Sequence, residues 1–316
     1  MKPFAFVFPG QGSQAVGMLD AWGDHPAVRQ TLREASDALG EDVAKLIHEG
    51  PKEALALTTN TQPVMLVAGV AAWRAWQAEG GAQPSALAGH SLGEYSALVA
   101  AGALTLAQAA PLVRFRAQAM QEAVPVGVGA MAAILGMEAA KVVEGCAQVT
   151  ATFGAGSAEV VQAVNFNDPA QTVIAGSKAG VDKACEVLKG LGAKRALPLP
   201  VSAPFHSSLM RPAADRLRER LADTAIATPT IPVVNNIDVA VESDPARIRD
   251  ALYRQAFGPV RWVECVRAIQ ARGIDTLVEC GPGKVLAGMA KRIDAQLTGA
   301  ALFDPATLAE VKGLLA

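Results

Sequence analysis

Residues 85–101 read SALAGHSLGEYSALVAA, and this stretch decides the fold class. The small apolar run at 85–90 predicts a buried strand, and the residues that follow, through 101, predict a helix. Between them Gly89, Ser91 and Gly93 form a Gly-x-Ser-x-Gly sequence, which is typical of a sharp strand-to-helix turn that exposes a nucleophilic serine. The N–H of Leu92 and the start of the helix would then point at an oxyanion formed on Ser91. Ser is also a common helix N-cap, so the motif alone leaves a structural role open.

The rest of the chain repeats the alternation of short strands and longer helices, which predicts an α/β fold with a mainly parallel sheet. The order changes between 130 and 199, where it becomes βαββαβ, the ferredoxin-like arrangement. After it a helix is predicted at 207–223 and strands at 231–234 and 276–280. We therefore predict a discontinuous large domain, 1–127 and 201–316, with a ferredoxin-like subdomain inserted at 128–200.

Composition excludes several classes of protein. Of the 316 residues, 51% are hydrophobic and 18% are charged, which argues against disorder and coiled coils. The formal net charge of −2 gives no general attraction to nucleic acid. The four cysteines are scattered without metal-ligand spacing, as expected of small buried residues in a reducing compartment. The apolar run at 64–72 is followed by Arg74, so we predict no membrane span. We also predict a cytoplasmic protein without a metal.

A serine nucleophile needs a base, and the chain offers four histidines. His25 and His48 lie in polar segments and are predicted to be solvated. His90 adjoins the serine in the chain, so the two side chains should diverge, and we assign it to orientation or packing. His206 lies where the insertion returns to the large domain, at the mouth of the expected cleft. Considered alone, His206 is predicted to have a structural role. Considered together with a nucleophilic Ser91, it is the candidate base.

Two other enzyme classes remain open at this point. The turn GQGSQA at 10–15 follows the first predicted strand and matches a dinucleotide-binding fingerprint, which points to an NAD-binding oxidoreductase. That site needs a second strand ending in an acidic residue about 20 residues later, whereas 29–39 has a helical pattern. An ordinary α/β-hydrolase fits poorly, because its histidine lies near the C-terminus. Asp168, within the insertion, is also poorly placed as the acid of a triad.

Five segments together resemble the malonyl-CoA:acyl-carrier-protein transacylases of fatty-acid synthesis. They are FVFPGQGSQ at 6–14, GHSLGEY at 89–95, VNFN at 164–167, FH at 205–206 and ECGPGK at 279–284. They span nearly the whole chain in the family's order. The family's fold is a hydrolase-like core with an inserted ferredoxin-like subdomain.

The resemblance implies a ping-pong transfer of malonyl from malonyl-CoA to acyl carrier protein, with the CoA thioester as a substrate and no bound cofactor. Ser91 would be the nucleophile and His206 the base, oriented by a backbone carbonyl near Gln255. The oxyanion hole would be the N–H groups of Gln11 and Leu92.

The resemblance also implies a pocket for the malonyl carboxylate. Arg116 matches the family's carboxylate-binding arginine, although helix spacing alone would leave it on the surface. Met120, one turn later, and Gln62 match pocket positions, whereas Arg114 should face solvent. Phe205 before the histidine goes with malonyl preference in polyketide acyltransferases, but Pro204 departs from the usual Ala-Phe-His ending. A freestanding acyltransferase of a polyketide pathway therefore stays as the alternative.

Acyl carrier protein is the expected partner, and the chain is expected to act as a monomer. Carrier proteins are acidic, so a basic rim is expected beside the cleft. The candidates for this rim are Lys194, Arg195, Arg211, Lys284, Lys291 and Arg292. A third hypothesis is that the chain is a catalytically inactive module that only binds carrier protein.

Overall fold

The computed structural model describes residues 2–201 and 203–316, and it places their strands in two separate sheets. In chain order the strands of this part of the molecule are β1 (Phe4–Phe8), β2 (Ala86–Gly89), β3 (Gly129–Leu135), β4 (Val161–Asp168), β5 (Gln171–Ser177), β6 (Arg195–Pro198), β7 (Val233–Val234), β8 (Thr276–Cys280) and β9 (Thr298–Leu302).

The helices pack on both sheets. The α-helices of the described residues are α1 (Pro26–Leu39), α2 (Val43–Glu49), α3 (Lys52–Ala56), α4 (Thr58–Ala78), α5 (Gly93–Ala100), α6 (Leu106–Glu122), α7 (Ala139–Thr152), α8 (Lys178–Gly190), α9 (Arg211–Ala222), α10 (Pro245–Gln255), α11 (Trp262–Gln270), α12 (Val285–Ile293) and α13 (Pro305–Leu315). Short 3₁₀ turns occur at Asp20–Trp22 and Ser208–Met210. Within the described ranges, no helix is both long and apolar enough to cross a membrane.

The larger sheet is parallel throughout, in the order β7-β2-β1-β8-β9. Its central strand β1 is buried on both faces, as expected of a parallel sheet covered by helices. Alternate side chains of β1 enter different hydrophobic cores: Phe4, Phe6 and Phe8 join one, and Ala5 and Val7 join the other. The sheet therefore brings the loops after its strands to one edge, between two helical layers.

The smaller sheet is antiparallel, in the order β4-β5-β3-β6, and its strands all lie between 129 and 198. Helices α7 and α8 pack against it around a third hydrophobic core. The chain order β3-α7-β4-β5-α8-β6 is the predicted βαββαβ arrangement, so the predicted fold class is confirmed. The division at 127/128 and 200/201 stays a prediction.

Three elements differ from the sequence prediction. The helix expected at 207–223 begins as the 3₁₀ turn Ser208–Met210 before α9, and the strand expected at 231–234 is reduced to β7. Strand β9 was not predicted, because TGAAL has few of the branched and aromatic residues typical of strands. The glycine in this strand, Gly299, is required by the close packing of α12. A Cβ at this position would lie 2.1 Å from the carbonyl oxygen of Ala287.

Candidate active site

The turn between β2 and α5 has the sharp geometry that the Gly-x-Ser-x-Gly sequence predicts. Ser91 has φ +54°, a conformation that residues with a side chain rarely adopt. A Cβ on Gly89 would lie 1.9 Å from the carbonyl carbon of Gly93, and one on Gly93 would lie 2.1 Å from the carbonyl oxygen of Phe8. Both glycines are therefore required by close backbone approach, and the turn lifts Ser91 above the carboxyl edge of the parallel sheet.

His206 lies against this serine. Its Nε2 is 2.7 Å from Ser91 Oγ, and its Nδ1 is 2.8 Å from the carbonyl oxygen of Gln255. Because a carbonyl only accepts hydrogen bonds, Nδ1 carries the proton and donates it, which leaves Nε2 of the neutral ring free to accept from the Ser91 hydroxyl. His206 also has a positive φ, +64°, so both members of the pair sit in strained backbone.

The surroundings keep His206 uncharged. The side chain is buried, and burial lowers its pKa to about 3, with the nearby positive charge of Arg116 acting in the same direction. The hydrogen bond to the Gln255 carbonyl opposes this shift. The ring is therefore neutral at physiological pH and ready to accept a proton from the serine.

Two backbone amides stand beside the serine. Leu92 immediately precedes α5, Gln11 follows β1, and both residues line the same cavity as Ser91. Neither N–H has an acceptor within the described part of the chain. The Gln11 side chain accepts a hydrogen bond from Thr58 Oγ1 at 3.0 Å, which holds its loop on α4. Two free donors, one at the start of α5 and one in the loop after β1, suit a developing oxyanion, although this role for them stays a prediction.

Arg116 is buried, only 2% exposed, rather than on the surface as helix spacing alone suggests. Its Nη1 donates to Gln62 Oε1 at 2.6 Å, and its Nη2 donates to Gln255 Oε1 at 3.1 Å and to Ser91 Oγ at 3.2 Å. The guanidinium carbon also lies 5.6 Å from the centre of the Tyr95 ring. The arginine is thus held by neutral groups and aimed at the serine.

The remaining predicted pocket residues join the same cluster. Gln62 Nε2 donates to Met120 Sδ at 3.9 Å, so the amide of Gln62 is oriented with its oxygen toward Arg116. The cavity above Ser91 has a volume of about 120 Å³. Its other wall comes from the antiparallel sheet and the segment after it, through Met131, Asn165 and Phe205. The site therefore lies where the two sheets meet.

The amino-acid sequence matches the family described as acyl transferase domain over residues 5–302. The chain belongs to this family. It is 52% identical over 309 residues to the malonyl CoA-acyl carrier protein transacylase of Salmonella typhimurium, covering 98% of each chain. The crystal structure of the acyl-carrier-protein S-malonyltransferase of Burkholderia pseudomallei shares 66% identity and a TM-score of 0.95, covering 98% of this chain and 99% of that one. A malonyl-transacylase solved in complex with its type II PKS acyl-carrier protein is 50% identical, with a TM-score of 0.94 and 98% of each chain covered.

Membership of the acyltransferase family confirms the predicted resemblance and excludes the oxidoreductase reading. The structure gives the physical reason, because no strand lies between β1 and β2 in the described residues and the region holds α1 to α4 instead. The turn after β1 leads to a 3₁₀ turn at Asp20–Trp22 rather than opening a helix, so its glycines do not form a phosphate-binding site.

Sequence reasoning missed two buried residues beside the serine, Glu94 and Asn236. Burial raises the pKa of Glu94 to about 7, while hydrogen bonds from the Asn236 N–H and the Gln255 side chain oppose the shift. Asn236 is the second residue after the short strand β7. Polar residues at the carboxyl end of a parallel strand are a signal that could have found Asn236, and Glu94 was visible in the motif at 89–95.

Among the described residues, the other three histidines form no hydrogen bond with Ser91 Oγ. His90 Nε2 pairs with Asn167 Oδ1 at 2.8 Å and burial lowers its pKa, in keeping with a packing role. His48 is exposed and contacts Asp20, whose hydrogen bond raises the pKa of the ring. The prediction that His25 is solvated is wrong, because its side chain is 14% exposed and packs edge-on against Trp22.

The structure also tests the predictions for two charged residues, Asp168 and Arg114. Asp168 pairs with Arg292 at 2.8 Å rather than with the histidine, as expected of a residue that is not a triad acid. Arg114 was expected to face solvent, but it forms a two-pronged ion pair with Glu41 and its side chain is 16% exposed. Helix α1 packs on α6, and the turn after α1 carries Glu41, which the helix pattern alone does not indicate.

Proposed function

We propose that this acyltransferase moves malonyl from malonyl-CoA to the phosphopantetheine thiol of acyl carrier protein through an acyl-enzyme on Ser91. The observation that carries the proposal is the convergence of His206 and Arg116 on one hydroxyl, at 2.7 Å and 3.2 Å from Ser91 Oγ. One contact suits proton removal, and the other suits recognition of an acid next to the reacting carbonyl. The names of the relatives support the same donor and acceptor.

The first half of the reaction forms the acyl-enzyme. Ser91 Oγ attacks the thioester carbonyl carbon while His206 Nε2 takes the hydroxyl proton. The N–H groups of Gln11 and Leu92 stabilise the oxyanion, and loss of one such donor typically costs about 3 kcal/mol. As the carbon–sulfur bond breaks, the His206 proton passes to the CoA sulfur, which leaves as the thiol. Serine, histidine and the thioester supply every group, so the step needs no metal or redox cofactor.

The second half repeats these steps with a new nucleophile. The pantetheine thiol of the carrier protein gives its proton to His206 Nε2 and attacks the Ser91 ester. The tetrahedral intermediate collapses, the serine oxygen regains the proton, and malonyl leaves on the carrier. The Gln255 carbonyl keeps the ring in the required tautomer in both halves, without an acidic third residue.

Arg116 supports malonyl as the acyl group, since no carboxylate lies within ion-pair distance of it among the described residues. The charge of buried Glu94 acts on it without forming an ion pair. A buried charge with no directly bound counter-charge is costly, and a substrate carboxylate would supply one. A planar guanidinium can bind both oxygens of that carboxylate at once. The neutral amides of Gln62 and Gln255 keep the arginine in place without neutralising it.

Intact-protein mass spectrometry after mixing with malonyl-CoA tests the proposal. We expect one malonyl adduct on the peptide that contains Ser91, none on Ser91→Ala, and discharge of the adduct when acyl carrier protein is added. Rapid CoA release without an adduct would indicate a thioester hydrolase instead. Neither release nor adduct, with carrier protein still bound, would favour a binding module.

A polyketide carrier is the second candidate acceptor, because one similar structure contains a type II PKS acyl-carrier protein. Discharge of the labelled enzyme by a fatty-acid carrier and by a polyketide carrier, compared at equal concentration, separates the two. We propose the fatty-acid carrier as the faster acceptor.

The docking surface, oligomeric state and location are part of the same proposal. Of the candidate basic rim, Arg292 is paired with Asp168, while Arg211 and Lys284 lie over the aromatic rings of Phe257 and Phe303. We propose that the rim binds the acidic carrier, that the enzyme acts as a monomer, and that it works in the cytoplasm. The four free cysteines fit a reducing compartment.

A further inference from the structure

The turn that carries Ser91 needs support from outside itself. Its positive φ is unfavourable for a residue with a side chain, and such conformations persist only where surrounding contacts impose them. The hydroxyl must also keep its distance to His206 and its direction toward the Leu92 amide. Whatever fixes the Ser91 backbone therefore controls the geometry of the reaction.

The side chain of Asn236 holds this turn at two points. Its Oδ1 accepts from the Ser91 N–H at 2.7 Å, and its Nδ2 donates to the Gly89 carbonyl oxygen at 2.7 Å. The amide thus spans the peptides on either side of His90 and joins the end of β2 to the nucleophile. Asn236 is completely buried, so water cannot replace either bond.

Asn236 is itself held by the network beneath the serine. Its N–H donates to Glu94 Oε2 at 2.8 Å, and Gln255 Nε2 donates to the same oxygen at 3.0 Å. Gln255 Nε2 also donates to the Ser91 carbonyl oxygen at 3.0 Å. Both the N–H and the C=O of Ser91 are therefore bound by side chains that come from after the inserted sheet.

We propose that Asn236 is a positioning residue for the nucleophile, acting through the Ser91 backbone to set the direction of the hydroxyl. This inference rests on the proposed function for the identity of the reaction, whereas the contacts of Asn236 do not depend on it. An apolar side chain of similar size would leave the Ser91 N–H and the Gly89 C=O buried without partners. Relaxation of the turn would then move Oγ away from His206, and a displacement of this kind near 1 Å can cost about 100-fold in rate.

The test compares Asn236→Ala with Asn235→Ala in the full-length protein. Asn235 is an ideal neighbour for a control because it is also buried, yet its side-chain oxygen accepts only from the Asp238 N–H at 2.8 Å in the described structure. One readout is the rate at which an alkyl fluorophosphonate labels Ser91, which requires no substrate recognition. The other is the pair kcat and KM with malonyl-CoA, recorded below the thermal midpoint of each variant.

We expect Asn236→Ala to slow fluorophosphonate labelling and kcat by about 100-fold, with KM within about twofold, and Asn235→Ala to change neither rate by more than a few fold. Equal rates for the two folded variants would overturn the positioning role. If wild-type protein is labelled by the probe but never by malonyl-CoA, the proposed function fails while the role of Asn236 is still measured.

Asn236→Asp tests the same role if the alanine variant does not fold. The aspartate keeps an acceptor for the Ser91 N–H, but its second oxygen can donate to Gly89 only when protonated. The titratable groups beside it are Glu94 and the Cys265 thiol, whose Sγ lies 3.9 Å from the present Nδ2. We expect its labelling rate, divided by the wild-type rate, to fall at least tenfold between pH 6 and pH 9, and a ratio of one throughout would refute the inference.

Discussion

Replacement of Arg116 by alanine tests how the site selects its acyl group. The guanidinium has two Nη groups directed into the cluster, and its present hydrogen bonds go to the neutral amides of Gln62 and Gln255 and to the Ser91 hydroxyl. In Arg116→Ala these two amide oxygens remain, but the positive charge is gone. A malonyl carboxylate would then be buried without an opposite charge, whereas an acetyl group would lose no partner.

The size of the effect follows from the bonds removed. Two charge-assisted hydrogen bonds at about 1.5–3 kcal/mol each amount to roughly 3–6 kcal/mol. Because each 1.36 kcal/mol is a factor of ten in rate, kcat/KM for malonyl transfer should fall by roughly two to four powers of ten. Loss of the contact to Ser91 Oγ affects both acyl groups, so the ratio of malonyl to acetyl transfer is the informative quantity.

The assay measures kcat/KM with malonyl-CoA and acetyl-CoA at a fixed concentration of carrier protein. The matched control is Arg114→Ala, which removes an arginine from the same helix whose partner, Glu41, lies away from the cavity. We expect the malonyl-to-acetyl ratio to fall at least 100-fold in Arg116→Ala and to stay within about twofold in Arg114→Ala. An equal loss of both activities in Arg116→Ala would refute the role of this arginine in binding the carboxylate.

Two further predictions concern stability. Gly93→Ala places a Cβ 2.1 Å from the Phe8 carbonyl oxygen, so its free energy of unfolding in urea should be lower by about 3 kcal/mol. The control is Gly288→Ala, a helical site with nothing within 4 Å, whose free energy of unfolding should rise by up to about 1 kcal/mol. Unchanged stability in Gly93→Ala would contradict the close approach. Burial lowers the pKa of His206 from 6.5 to about 3, so the unfolded chain binds more protons between these values and stability falls as pH falls. Relative to that of His206→Gln, the free energy of unfolding of the wild type should fall by roughly 2 kcal/mol between pH 7 and pH 5. If the two proteins gave parallel curves of stability against pH, the ring would titrate with an ordinary pKa.

Much of the fold, and the contact between Ser91 and His206, could be predicted from the sequence because their signals are local. Gly89 is required by close approach to Gly93 and Gly93 by close approach to Phe8, and both lie within two residues of Ser91, so they appear as a motif. The change from β-α alternation to βαββαβ is likewise carried by neighbouring segments, and the observed sheets follow it. Elimination among four histidines then left His206, which the structure brings to the serine.

The rest depends on contacts between distant segments. Helix spacing placed Arg116 on the surface, because the pattern of α6 does not reveal that α4, α5 and α10 surround its polar face. Asn236 and Glu94 have no local signature for their shared hydrogen bond, since they lie 142 residues apart in the chain. Strand β9 is short and composed of small residues, so only its pairing with β8 identifies it.

The partners of Ser91 are far along the chain: His206, Asn236 and Gln255 follow it by 115, 145 and 164 residues. A nascent chain that ends before residue 206 carries the serine with none of them. Its central strand β1 also lacks β8, one of its two neighbours in the finished sheet. During synthesis on the ribosome, the serine therefore gains its side-chain partners only when the last third of the protein has emerged and folded back onto the first.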